Sequence, residues 1–168
     1  MITQSLVPWM CVAAFAALLV TAAIWDVRHY VIPHWISPAI VGLFGLYLVG
    51  SGFAVSWEAA LIAGGAVFVV GACFFAFGAI GGGDVKLLAA TALWAGLDEL
   101  TLLLLATVLV GGVLALGSLM FGAITAPRPA GRLGAQATKI QSAQPAQLPY
   151  GVAIAVGGVL VAGMRLGV

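Results

Sequence analysis

Two aspartates stand out in a chain that otherwise carries very little charge. Asp26 follows the apolar run LLVTAAIW, and Asp84 follows three consecutive glycines in AIGGGDVKLL. Each is trailed two residues later by a basic side chain, in Asp26-Val27-Arg28 and Asp84-Val85-Lys86. Two positions along a helix turn a side chain by about 200°. Arg28 and Lys86 would then point away from the aspartates and reach for head groups, while Asp26 and Asp84 face inward. Two carboxylates held close together do not both ionise, so one keeps a proton that the other lacks. The ionised member can take a proton from water and the protonated member can give one to a peptide carbonyl, which is aspartic proteolysis. A proton or ion relay is the other use for carboxylates at membrane depth.

Each aspartate also has a plainer explanation. After glycines and before an apolar run, Asp84 fits a helix N-cap. Asp26 has less excuse, because a negative charge at the C-terminal end of a helix opposes the helix dipole at a cost of up to about 1 kcal/mol. The glycine run adds a second consideration. Without Cβ atoms, Gly81 and Gly83 leave room for another backbone beside Asp84.

Composition fixes the setting. The chain is 64% hydrophobic and 7% charged over 168 residues, with a mean hydropathy of +1.22. A water-soluble domain carries about a quarter charged residues, so this is an integral membrane protein. A net charge of +1 gives no sign of nucleic-acid binding. Cys11 and Cys73 are isolated in apolar runs and form no CxxC pair, which leaves them as small apolar filler. His29 and His34 flank Pro33 without a metal-ligand spacing and read as loop polarity. No metal or organic cofactor is implied.

Apolar runs between charged or Pro/Gly breaks predict an all-α membrane protein of about six transmembrane helices in a compact bundle. They fall at about 6–25, 35–50, 57–78, 85–97, 100–124 and 149–166. The whole chain, 1–168, reads as one transmembrane domain with a basic loop at about 125–148. Lys and Arg concentrate in alternate breaks: Arg28 in the first, Lys86 by the third, and Arg128, Arg132 and Lys139 in the fifth. That pattern puts those loops in the cytoplasm and both termini outside. Arg165 alone departs from it. No basic residue precedes the first apolar run, which argues for a retained helix over a signal peptide. Glu58, Asp98 and Glu99 fall at outer interfaces. Trp25, Trp35 and Trp57 sit where belt anchors belong. Recurrent glycines in the last two helices point to close helix packing. The thirteen residues between Asp84 and Asp98 rise only about 20 Å as a helix, against a hydrocarbon core of about 30 Å. Asp84 would then sit inside the membrane profile, beside irregular backbone that must be buried in protein or line a wet cavity.

With these residues in view, the chain resembles a known family. Gly81-Gly82-Gly83-Asp84 matches the GxGD motif of intramembrane aspartyl proteases. Asp26 followed by Ile32-Pro33 resembles the D-x(5)-I-P segment of type IV prepilin peptidases, as do Lys86 and the Pro149-Tyr150-Gly151-Val152-Ala153 opening of the last helix. The resemblance implies that Asp26 and Asp84 are the catalytic pair. It implies cleavage of a pilin precursor's leader, after a glycine and before an apolar helix, at the cytoplasmic face of the bacterial inner membrane. Pro149-Tyr150-Gly151 would shape the rim of the site, although a helix-start role explains Pro149 as well. The sequence lacks the paired CxxC loop of larger bifunctional members, so it resembles the short peptidase-only form serving tight-adherence (Flp-type) pili, without N-methylation. His34 stands where many relatives have Asn. The partners implied are a pilin precursor and membrane lipid. Two rivals use the same residues differently: a small proton-coupled transporter, and a non-enzymatic assembly subunit in which Asp84 is only a cap.

Overall fold

The computed structural model describes residues 2–125 and 149–166. Among the described residues there are six helices and no strands: α1 (Ile2–His29), α2 (Ile36–Gly50), α3 (Trp57–Ala76), α4 (Gly82–Ala95), α5 (Leu100–Thr125) and α6 (Tyr150–Leu166). The basic segment expected as a cytoplasmic loop at about 125–148 lies almost wholly outside the described residues. Three helices are long and apolar enough to cross a membrane, over Leu6–His29, Trp57–Ala76 and Leu100–Met120. The other three are shorter, at 15, 14 and 17 residues for α2, α4 and α6. At 1.5 Å per residue they reach about 21–26 Å, less than the hydrocarbon thickness. The protein is an all-helical membrane bundle in which long helices flank short ones.

α4 is the shortest helix and the most enclosed. Val85, Leu87, Ala89, Ala90, Thr91, Ala92, Trp94 and Ala95 are all buried, and α4 packs on α3, α6 and α2. With nearly every face buried, α4 is covered by neighbouring helices. Glycine makes the close approaches. A Cβ on Gly64 would fall 2.8 Å from Leu93, and one on Gly71 would fall 2.8 Å from Val85, so α3 lies nearly flush on α4. Gly158 of α6 faces Leu19 and Thr91 in the same way. Of the glycines expected to pack in the last two helices, Gly111, Gly151, Gly157 and Gly158 do so, whereas Gly112, Gly117 and Gly163 have open space beside them; the close approaches of Gly64 and Gly71 on α3 fall outside that expectation.

The hub of the core is Trp94, 1% exposed. Its ring stacks on Phe15 at 4.4 Å between centroids and meets Phe44 edge-on at 5.6 Å. Its indole N–H donates to the Ile40 carbonyl at 3.2 Å. One buried aromatic thus ties α4 to α1 and α2. At this end of the bundle Arg165 has specific partners. Its Nη2 donates to the Trp94 carbonyl at 2.9 Å, where a cation suits a helix C-terminus. Its Nε lies 3.5 Å from Glu99, which therefore has a specific partner.

Helix boundaries differ from the expectation where the site is built. α1 continues past residue 25 to His29. Its inward stripe is Val12, Phe15, Leu19 and Ala22, and Asp26 is the next residue on it. α3 ends at Ala76 and is closed by a Schellman turn, with Gly78 at φ +72 and the Ala79 N–H donating to the Phe74 carbonyl at 2.9 Å. α4 then starts at Gly82, so two glycines of the run are helical.

Candidate active site

The C-terminus of α1 and the N-termini of α4 and α6 meet at one end of the bundle. Asp26 arrives on the buried stripe of α1 and is 4% exposed. Asp84 is the third residue of α4, and Gly81 rather than Asp84 occupies the N-cap position. The carboxylate turns back over the helix start, so close to Gly81 that a Cβ there would fall 2.8 Å from Oδ2. A negative charge in the first turn is favoured by the helix dipole. The cap explanation is therefore replaced by a related one: Asp84 complements the helix start from inside its first turn.

Both aspartates line one cavity of about 180 Å³, together with Tyr30, Val31, Ile32, His34, Gly81 and Gly83. Two carboxylates, a phenol and an imidazole share walls with apolar side chains and bare glycine backbone. Such a cavity can hold water beside acid groups and admit a polypeptide backbone.

Asp26 is fixed from across the chain. The Gly151 N–H, in the first turn of α6, donates to Asp26 Oδ2 at 2.7 Å. A Cβ on Gly151 would fall 2.8 Å from that oxygen and 3.1 Å from the Asp26 Cβ. Glycine here lets the two helices close to hydrogen-bonding distance. Pro149 stands just before α6, and its carbonyl accepts from the Val152 N–H at 3.2 Å, so it helps start that helix. Tyr150 packs against Gly111 of α5.

The remaining expected residues are placed less directly. Gly83 lies against Ile32, which would stand 3.5 Å from an added Cβ. Pro33 is half-buried, and its carbonyl accepts from the Ile36 N–H at 3.2 Å, turning the chain into α2. Lys86 is exposed and lines a different groove, between α2, α3 and α4, as its helical offset from Asp84 requires. Arg28 is likewise exposed while Asp26 is buried. His29 stacks on Trp25 outside the cavity. Among the described residues, no three His, Cys, Asp or Glu side chains form a metal-binding group.

Tyr30 is the wall residue that sequence reasoning missed. It ends α1 with φ +53, in the left-handed region, and its N–H donates to the Asp26 carbonyl at 2.8 Å. Glycine is the usual residue at such a helix end. A tyrosine held there costs about 1–2 kcal/mol of backbone strain, and strained residues cluster at functional sites. Nothing in the local sequence marks this conformation.

The described residues thus form a helical membrane bundle with two acid groups lining one cavity. The comparison with known families makes the assignment narrower. A model described as the type IV leader peptidase family matches residues 13–116, and the chain belongs to that family. The matched region holds both Asp26 and Asp84 and stops short of Pro149-Tyr150-Gly151. No curated protein and no solved structure matches the chain.

Proposed function

We propose that this peptidase is of the aspartic type and removes the leader of type IV (Flp-type) pilin precursors, using Asp26, Asp84 and one water. The observation that carries this reading is the shared cavity: the two aspartates, from different helices, line the same small polar space. In the proposed reaction the ionised carboxylate takes a proton from the water as its oxygen attacks the scissile carbonyl carbon. The protonated carboxyl gives its proton to the carbonyl oxygen. The tetrahedral gem-diol then collapses: the proton taken from water passes to the leaving amine as the C–N bond breaks, and one hydroxyl returns a proton to the second carboxylate, which restores the pair to its starting state. The pair exchanges roles within one coupled titration, so base and acid are not assigned to individual residues.

The surrounding residues support the same chemistry. Gly151 holds one carboxylate oxygen of Asp26 and leaves the other available. Gly81 and Gly83 keep side chains out of the path of a substrate strand. The charge pattern of the loops supports an active site at the cytoplasmic face of the bacterial inner membrane, with the N-terminus outside. With Cys11 and Cys73 on separate helices and no paired CxxC motif in this sequence, N-methylation is not part of the proposal. The test is to incubate purified protein in liposomes with a tight-adherence pilin precursor and read the product's new N-terminus by mass spectrometry. A product beginning just after a glycine, at the start of its apolar helix, is expected. An intact precursor contradicts the proposal.

A further inference from the structure

α5 is the least buried of the three long helices. It packs along α6 and barely meets α4. The space this leaves is a cavity of about 350 Å³ whose walls include Gly71, Leu88, Val108, Gly112, Ala115 and Ile154. Asp84 and Tyr150 also stand in its wall. The groove thus meets the polar cavity at a shared carboxylate. One side of Asp84 faces a space with Asp26 in it, and the other faces an almost wholly apolar trough.

We propose that this trough seats the apolar α-helical segment of the substrate that follows the scissile bond, and so delivers that bond to Asp84. The assignment rests on the peptidase reading above. Three features of the trough bear on its occupant, and the first and third favour such a segment over a lipid chain. Gly112, which is exposed with open space beside it, and Ala115 offer small-residue surface on α5, which lets a helix backbone come close. The hydroxyl of Thr107 is already used, donating to the Leu103 carbonyl at 2.7 Å, so it requires no polar partner from the occupant. The third feature is the polar end. A helix that unwinds to expose a peptide bond frees backbone N–H and C=O groups, and these need polar surroundings at membrane depth. An apolar trough ending at a carboxylate-lined cavity meets both needs of one peptide; an acyl chain uses only the first.

Gly112 gives the direct test, because it lines the trough and a Cβ added there meets nothing within 4 Å. The experiment compares wild type, Gly112→Ala and Gly112→Leu on a membrane-embedded pilin precursor, with thermal stability measured alongside. A photo-crosslinking amino acid at Val108, in an otherwise unaltered chain, reports what occupies the trough. For Gly112→Leu, KM is expected to rise roughly tenfold or more with kcat little changed. Gly112→Ala should raise KM in the same direction but by less, and the Val108 probe should capture the precursor through its apolar segment. Wild-type cleavage with Gly112→Leu equally active, or crosslinks to lipid alone, overturns the trough assignment and leaves the peptidase standing. A wild type that leaves the precursor intact overturns the peptidase reading and this assignment with it.

Discussion

The Gly151 N–H donates to Asp26 Oδ2 at 2.7 Å, joining residues 125 positions apart. The contact fixes a carboxylate at the end of α1 against the first turn of α6, and it requires glycine. In Gly151→Ala the new methyl would sit 2.8 Å from the oxygen it must not displace. Small misplacements of a reacting group cost up to about 100-fold in rate. We expect Gly151→Ala to fold and to lose roughly 10- to 100-fold in precursor cleavage, measured as initial rates at matched membrane levels. Unchanged cleavage would remove Gly151 from the positioning of Asp26.

Tyr30 is half exposed yet held at φ +53 beside both aspartates. Asparagine tolerates this conformation far better than tyrosine. Tyr30→Asn should therefore raise stability by about 0.5–1 kcal/mol, a part of the strain that the left-handed backbone imposes on tyrosine. The readout is an upward shift of the melting temperature in detergent. A more stable variant with weaker cleavage would show that the strained tyrosine is kept for the substrate. A fall in stability would mean that its side-chain contacts outweigh the strain.

At the opposite end, Arg165 binds the Trp94 carbonyl and faces Glu99. Burial pushes the Glu99 carboxyl above its usual range, and the Arg165 guanidinium pulls it partly back. A carboxyl raised in the folded state holds more protons there than in the unfolded chain, so stability falls as pH rises through that range. Arg165→Met removes the opposing cation. We expect a loss of about 1–2 kcal/mol, larger at pH 8 than at pH 5, and partial recovery in Arg165→Met/Glu99→Gln. A deficit independent of pH would contradict the pairing.

Trp94→Ala would open a cavity where α1, α2 and α4 converge. Such truncations in water-soluble cores cost about 3–5 kcal/mol. The low end, about 3 kcal/mol, is expected here, because lipid tails are as apolar as the core and only packing is lost. Thermal unfolding in detergent reads this directly, and a shift too small to measure would deny Trp94 its role as hub.

Much of this was legible in local sequence. The two aspartates stood out because charge is so scarce in the chain. The offsets from Asp26 to Arg28 and from Asp84 to Lys86 correctly separated an inward carboxylate from an outward cation. Helix existence followed from apolar runs. Three relationships were not legible, each for a physical reason. The start of α4 within the glycine run depends on tertiary burial overriding glycine's poor helix propensity. The partners of Asp26 and Arg165 are distant in sequence, and no local pattern encodes them. Tyr30 adopts its left-handed conformation where α1 ends, and tyrosine does not advertise it.

The central claim is that Asp26 and Asp84 act together on a peptide bond. Co-expression of a tight-adherence pilin precursor with wild type, Asp26→Asn or Asp84→Asn, at matched membrane levels, tests it most directly. Shortening of the precursor by wild type and its loss in both variants is the predicted result. Shortening that survives either substitution would contradict a two-aspartate peptidase. An unshortened precursor alongside wild-type protein, with aspartate-dependent proton flux in liposomes, would identify the carboxylates as a relay instead.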